Sequence, residues 1–275
     1  MLECSCCFAI GFDITLMTKS HLPENWSYKL VDSGFGVENI GVRFRTARPG
    51  PEEDFICKFL GKLSCQGEPD LKLTIFKEPR IETGSPDLVG VIWHLPTAER
   101  WNANRLLLQR PDYRVMQYIF QTQSASLLTI KSLFKNQGMD SIDRLAAANM
   151  ILIERNVVST NSPSAQYAVR HIFAIEAKIN AWRKALHQAF LNRWFACSSH
   201  VLLPQMPSSV TMISEARALG VRVWSPQVSK MTLNLPSAPS DPLSYVSWLF
   251  NDWAWKVWGH VSPTYAESKH TLMDQ

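Results

Sequence analysis

The chain has 275 residues, 46% of them hydrophobic, which is enough to bury a sizeable core in one large domain or two modest ones. Its net charge of +4, from 28 basic and 24 acidic residues, is too small to argue nucleic-acid binding and leaves any basic face local. No apolar run reaches the roughly 18 residues needed to span a bilayer and no basic, apolar leader opens the chain, so the expectation is a cytoplasmic protein with no membrane partner.

Residues 1–50 mix short apolar stretches with Gly34, Gly36 and Gly41 and end at the turn-rich Arg48-Pro-Gly-Pro51; they form a segment without an assigned role. Cys4, Cys6 and Cys7 crowd this segment, while Cys57, Cys65 and Cys197 are scattered. The spacing suits neither a disulfide framework nor paired C-x2-C zinc knuckles, and reduced thiols are expected. From Pro51 a helix is predicted. Proline sits in its first turn, Glu52, Glu53 and Asp54 lie at its positive end, and Phe55, Phe59, Leu60 and Leu63 share one face.

Residues 71–78 and 86–94 then read as two strands joined through Glu82-Thr-Gly-Ser85, with Gly84 in the turn. Between 110 and 170 the pattern changes to three short helices near 112–122, 126–135 and 139–150. A ribbon follows, built from Val157-Val158 and Tyr167-Ala-Val169 around a polar tip at Ser159 to Ser164. That outline is a winged helix. A strand returns at 171–179, followed by an amphipathic helix capped by Asn180, with Trp182, Ala185, Leu186, Ala189 and Phe190 on one stripe. Strands at 199–204 and 221–224 enclose a short helix at 214–219, which gives an α/β sheet. Residues 226–275 divide into a Pro-rich linker and a Trp-rich segment whose aromatic surface is expected to pack against the rest of the chain.

Alternation in the strand at 171–179 puts Phe173, Ile175, Ala177 and Ile179 on one face and Glu176 with Lys178 on the other. An isolated E-x-K of this kind also fits a solvated pair. Asp87, at the start of another apolar strand, supplies a second carboxylate.

With Pro86-Asp87, Glu176-Ala-Lys178 and the order helix, strand, Asp-bearing strand, E-x-K strand, helix, strand, the chain resembles the PD-(D/E)XK nuclease superfamily over residues 51–94 and 171–224. The resemblance implies a restriction-endonuclease-like mixed central sheet flanked by helices, in two parts at 51–109 and 171–225. A winged-helix-like α+β insertion at 110–170 would separate them. It implies a magnesium-dependent endonuclease, a hydrolase acting on DNA, with a role in phage defence, restriction or mobile-element maintenance. Asp87, Glu176 and the Ala177 carbonyl would hold Mg²⁺ or Mn²⁺, with Glu53 or Glu52 entering from the preceding helix. Lys178 would orient the attacking water or stabilise charge on the phosphate, and Gln188 would bond that water or the phosphate. Arg144 and Asn149 of the insertion's third helix, although Asp140 and Asp143 beside them oppose phosphate, and Arg183 and Lys184 after the E-x-K strand, would contact nucleic acid. A non-catalytic binding or scaffolding protein on the same fold, an RNA-processing nuclease, and a protein partner or homo-oligomer remain open alternatives. The chain contains no G-x-S-x-G elbow and no G-x4-G-K-[ST] loop, which disfavours a serine hydrolase and a P-loop enzyme.

Overall fold

The structure is a computed structural model and describes residues 28–34, 40–46, 49–63, 69–207, 209–225 and 240–259. The crowded cysteines at 4, 6 and 7 and the Pro-rich stretch at 226–239 lie outside the described residues. In chain order the elements are β1 (Tyr28–Val31), α1 (Pro51–Leu60), β2 (Leu71–Lys77), β3 (Leu88–His94) and α2 (Leu95–Ala98). A 3-10 turn at Ala103–Leu107 precedes α3 (Arg110–Thr122), β4 (Ser124–Ser126), α4 (Leu127–Ala147), β5 (Ile151–Glu154), β6 (Val157–Thr160) and α5 (Pro163–Gln166). The chain continues with β7 (Val169–Ala177), α6 (Trp182–Asn192), β8 (Ser198–Leu202), α7 (Val210–Ala218), β9 (Val221–Trp224) and α8 (Tyr245–Gly259).

Six strands form one mixed sheet in the order β1-β2-β3-β7-β8-β9, flanked by helices on both faces. β3 runs antiparallel to both of its neighbours, β2 and β7, while β1 on β2, β8 on β7 and β9 on β8 are parallel. The parallel steps need crossovers, and α1, α6 and α7 supply them. Strand alternation divides the core: Leu73, Ile75, Leu88, Phe173 and Ile175 pack with α1 on one face, whereas Phe76, Val89, Val91, Ile172 and Ala174 meet α3 and α8 on the other. Gly90, paired with Phe173, makes room for that ring, since a Cβ there would come within 2.0 Å of it.

No strand of the central sheet falls between β3 and β7. The intervening segment holds α3, α4 and a three-stranded sheet in the order β4-β6-β5. Several boundaries differ from those expected. α4 is broken at Lys135 (φ 57°, ψ −145°), which separates two helical pieces, and it ends at Ala147 rather than 150. The ribbon is β5 with β6, turning at Arg155-Asn156, whose φ angles of 50° and 66° suit a tight two-residue hairpin. Ser159 and Thr160 are therefore strand residues, and the expected polar tip instead enters α5. Asn180 does not cap α6; Ala181 holds that position in the left-handed region without a side-chain bond.

The segment between β3 and β7 does not stand apart from the sheet. Its buried Tyr113, Met116, Ile130, Ile142 and Val158 belong to the same apolar cluster as Val91 and Trp93 of β3. α8 joins them: Trp248, Phe250, Trp253 and Trp255 are all buried, so the Trp-rich segment is a helix enclosed on every side. Among the described residues no helix is long and apolar enough to cross a membrane.

Candidate functional site

The register Leu88↔Ile175 continues by one step to bring Asp87 opposite Glu176 across the β3–β7 pair. Both side chains belong to the face of Val89 and Ala174, and both are buried, at 5% and 3% exposure. Asp87 Oδ2 accepts from the Ala177 amide at 2.8 Å, one residue beyond Glu176. Lys178 follows the end of β7; its Nζ donates to the Ala177 carbonyl at 2.9 Å and to Glu52 Oε2 of α1 at 3.0 Å, and lies 3.9 Å from Asp87 Oδ2. Nearly ninety residues of sequence thus converge on one strand end.

A third acid and a second cation complete the cluster. Glu78, just past β2, is 6% exposed and pairs with Arg45 through two hydrogen bonds of 2.9 and 3.0 Å. Arg45 also stands 3.5 Å from Asp87 Oδ1, while its side chain is half exposed. From α6, Asn192 donates to Glu176 Oε1 at 2.8 Å. One turn earlier, Gln188 Oε1 is buried without a hydrogen-bond partner, on the helix face that Asn192 shares.

Burial raises the affinity of both carboxyls for a proton, and a neighbouring carboxylate adds to it in each, Asp87 for Glu176 and Glu78 for Asp87. Glu176 is pushed up to about 8, by burial first and Asp87 second, against the opposing pull of Asn192, Lys178 and Arg45. Asp87 is also raised by burial, opposed by Lys178, the Ala177 amide and Arg45. Two carboxyls so placed share a proton near neutrality unless a cation compensates them.

Other expected contributors lie elsewhere. Glu53 is not brought to the cluster: Lys77 engages its carboxylate, and Glu52 is the α1 residue that reaches Lys178. Arg144 is not a free cation, because its Nε and Nη2 bind the buried Asp112 of α3 at 3.0 and 2.7 Å. Asn149 lies beyond α4 with φ 57°, and its carbonyl accepts from Asn161 and Gln166. Arg183 stacks on Trp182 at 4.3 Å, and both it and Lys184 are exposed on the first turn of α6.

Sequence reasoning missed Arg45, Glu78 and Asn192. Asn192 had a signal, four residues after Gln188 on the same helix face. Glu78 had a weaker one, since it alternates with Thr74 and Phe76. Arg45 had none, because the stretch before α1 shows no period.

Among the described residues, no group of three or more histidine, cysteine, aspartate or glutamate side chains converges closely enough to hold a metal ion. The donors at hand are two carboxylates and a backbone carbonyl. That set fits Mg²⁺, which keeps several waters and takes one or two carboxylates, better than a closed protein cage. No protein-family model matches the chain, and no curated protein or solved structure matches it either.

Proposed function

We propose that the chain is a magnesium-dependent nuclease acting on DNA, on a PD-(D/E)XK-like core with a winged-helix-like insertion. The observation that carries the reading is the convergence of Asp87, Glu176 and Lys178 at one strand end, despite their separation in sequence. The order α1, antiparallel β2–β3–β7, α6, parallel β8 supports it, as does the order helix, short strand, broken helix, hairpin between β3 and β7.

In this reading Asp87 and Glu176 hold the ion, with the Ala177 carbonyl and waters as further ligands. The bound ion would supply Lewis-acid polarisation of the phosphate and a more acidic water. The chain's own groups do the rest. Lys178 stabilises charge on the phosphate or fixes the attacking water, and Glu52 and the Ala177 carbonyl hold its amine in place. Asn192 orients Glu176, and the free Gln188 oxygen accepts a hydrogen bond from water. Arg45 neutralises Glu78 and, half exposed above the acids, is placed to meet an incoming phosphate.

One observation favours a second reading, a non-catalytic nucleic-acid-binding protein. Arg45 and Lys178 already neutralise part of the acid cluster, as cations would in a site that has given up its metal. Cleavage of single- and double-stranded DNA and of RNA, each with Mg²⁺, Mn²⁺ or EDTA, separates the two. The nuclease reading expects metal-dependent products that disappear in Asp87→Asn and Glu176→Gln. Absence of cleavage together with absence of Mn²⁺ binding would sink it.

A further inference from the structure

The segment carrying Arg45 pairs with the chain leaving β2 as a short antiparallel ribbon. Phe44 bridges Pro79, the Arg45 amide donates to the Glu78 carbonyl at 2.9 Å, and the Arg80 amide donates to the Arg43 carbonyl at 2.7 Å. Those bonds put Arg45 opposite Glu78 and, two residues along on the same face, Arg43 opposite Arg80. The first rung is a salt bridge at the acid cluster. The second brings two like charges together, and like charges directly opposite in a sheet repel. Neither guanidinium has a hydrogen-bond or ion-pair partner among the described residues, and both residues are exposed.

Arg43 and Arg80 open onto a cleft of about 660 Å³ lined also by Arg110 at the start of α3 and by Lys256 of α8. Arg110 is held by Glu82 at 3.0 Å and by the Arg80 carbonyl at 2.9 Å. Lys256 is 5% exposed and donates to the Leu106 carbonyl at 3.2 Å. Among the described lining residues there are four cations, and Glu82 is the lone carboxylate. The two facing guanidiniums repel each other and lack an anion among the described residues, which favours an incoming one.

We infer that this cleft binds the phosphates of the nucleic-acid strand whose reacting phosphodiester sits at Asp87 and Glu176; the inference rests on the nuclease reading. Two residues of extended chain span about 7 Å. A strand reacting at the acids would therefore run its next phosphates along the ribbon, past Arg43 and Arg80, toward Lys256. Arg45 marks the junction between the two.

The test is binding of fluorescein-labelled single-stranded and duplex oligonucleotides to the full chain in EDTA, across a salt series, beside Mn²⁺ titration of the same proteins. Arg43→Ala/Arg80→Ala should weaken oligonucleotide binding at least tenfold and flatten the salt dependence by about 1–2 in log–log slope. Its melting temperature should stay at or above that of the parent, because repulsion is removed, and its Mn²⁺ binding should not change. Arg217→Ala, an exposed arginine of α7, should bind within twofold of the parent. Unchanged affinity and slope in the double variant, with Mn²⁺ binding lost in Glu176→Gln, would overturn the cleft and leave the nuclease reading standing. Lost oligonucleotide binding in the double variant of a chain that takes up no Mn²⁺ would keep the cleft and remove the nuclease. Stabilisation by inorganic pyrophosphate without oligonucleotide binding would assign the cleft to a small phosphorylated ligand and overturn the strand.

Discussion

Two buried charge clusters in this molecule are built on opposite plans. Arg105 and Asp252 are both fully buried, and each is saturated: Arg105 binds Asp252 through Nε and Nη2 at 2.8–3.1 Å, reaches Gln166 through its side chain and carbonyl, and stacks on Trp101. Asp252 also accepts from Tyr113 at 2.6 Å and Asn251 at 2.8 Å. One cation there meets one anion. At the ends of β2, β3 and β7, three buried acids face two cations that are themselves partly exposed, and Gln188 keeps an unused oxygen. A closed, neutral network specifies how α8 and the 3-10 turn dock, whereas an acid excess under a half-open surface would, in the nuclease reading, draw a cation from solution.

The comparison breaks most visibly on truncation. Asp252→Ala leaves Arg105 charged and unpaired in the core, and should cost about 3–5 kcal/mol, read from urea unfolding. Glu176→Gln, which removes one of two mutually repelling acids, should be neutral or stabilising in metal-free buffer. Equal losses in both variants would erase the distinction.

The next effect is on chemistry. Lys178→Ala should lower metal-dependent cleavage by about 10²–10³-fold, the range for removing one group that stabilises developing charge, while changing DNA affinity by less than threefold. A parallel loss of affinity would make Lys178 a binding residue instead.

Metal uptake should then report the shared proton. Because Glu176 holds its proton up to about pH 8, Mn²⁺ must displace that proton, and apparent affinity should rise by up to tenfold per pH unit from about pH 6 and level off above 8. Calorimetry in two buffers of different ionisation enthalpy would count the released proton.

How far these regions were legible follows from the kind of order each has. The strands at 71–77, 88–94, 169–177 and 221–224, and α1, α6 and α7, were readable because period 2 or a one-sided apolar stripe ran through them. Asp87 and Glu176 could be paired because each interrupts such a strand. Arg45 could not, since its place depends on a single bridge, Phe44 to Pro79, between segments with no pattern of their own. The hairpin at Arg155-Asn156 was overlooked in favour of the polar cluster after it, although alternation in Ile151–Glu154 and Val157–Thr160 flanks a two-residue turn. The Arg105–Asp252 pair, 147 residues apart, left no local trace. Burial of the Trp-rich segment was legible as a need to pack, but its partner, the segment between β3 and β7, was not.

The last effect is the pH dependence of stability, and its sign reports how Glu176 is held. Glu176 has a folded-state value of about 8 against an ordinary value of 4.5. Between those limits the folded chain keeps a proton that the unfolded chain has released. Linkage then requires stability to fall as pH rises through this window, by at most about 1.4 kcal/mol per pH unit. The contribution is complete below about pH 4.5 and gone above about 8. Glu176→Gln cannot lose a proton there, so its stability should stay level over pH 5–8 where the parent declines, and the two curves should diverge upward in pH. Saturating Mg²⁺ should flatten the parent curve in the same window by favouring the charged pair, and it should leave Glu176→Gln unmoved. Urea midpoints at half-unit pH steps, with and without Mg²⁺, measure all four curves. A parent whose stability stays level from pH 5 to 8, as that of Glu176→Gln does, would mean that Glu176 is already a carboxylate there, held by Asn192, Lys178 and Arg45, and the cluster would then be a closed network like the one around Asp252.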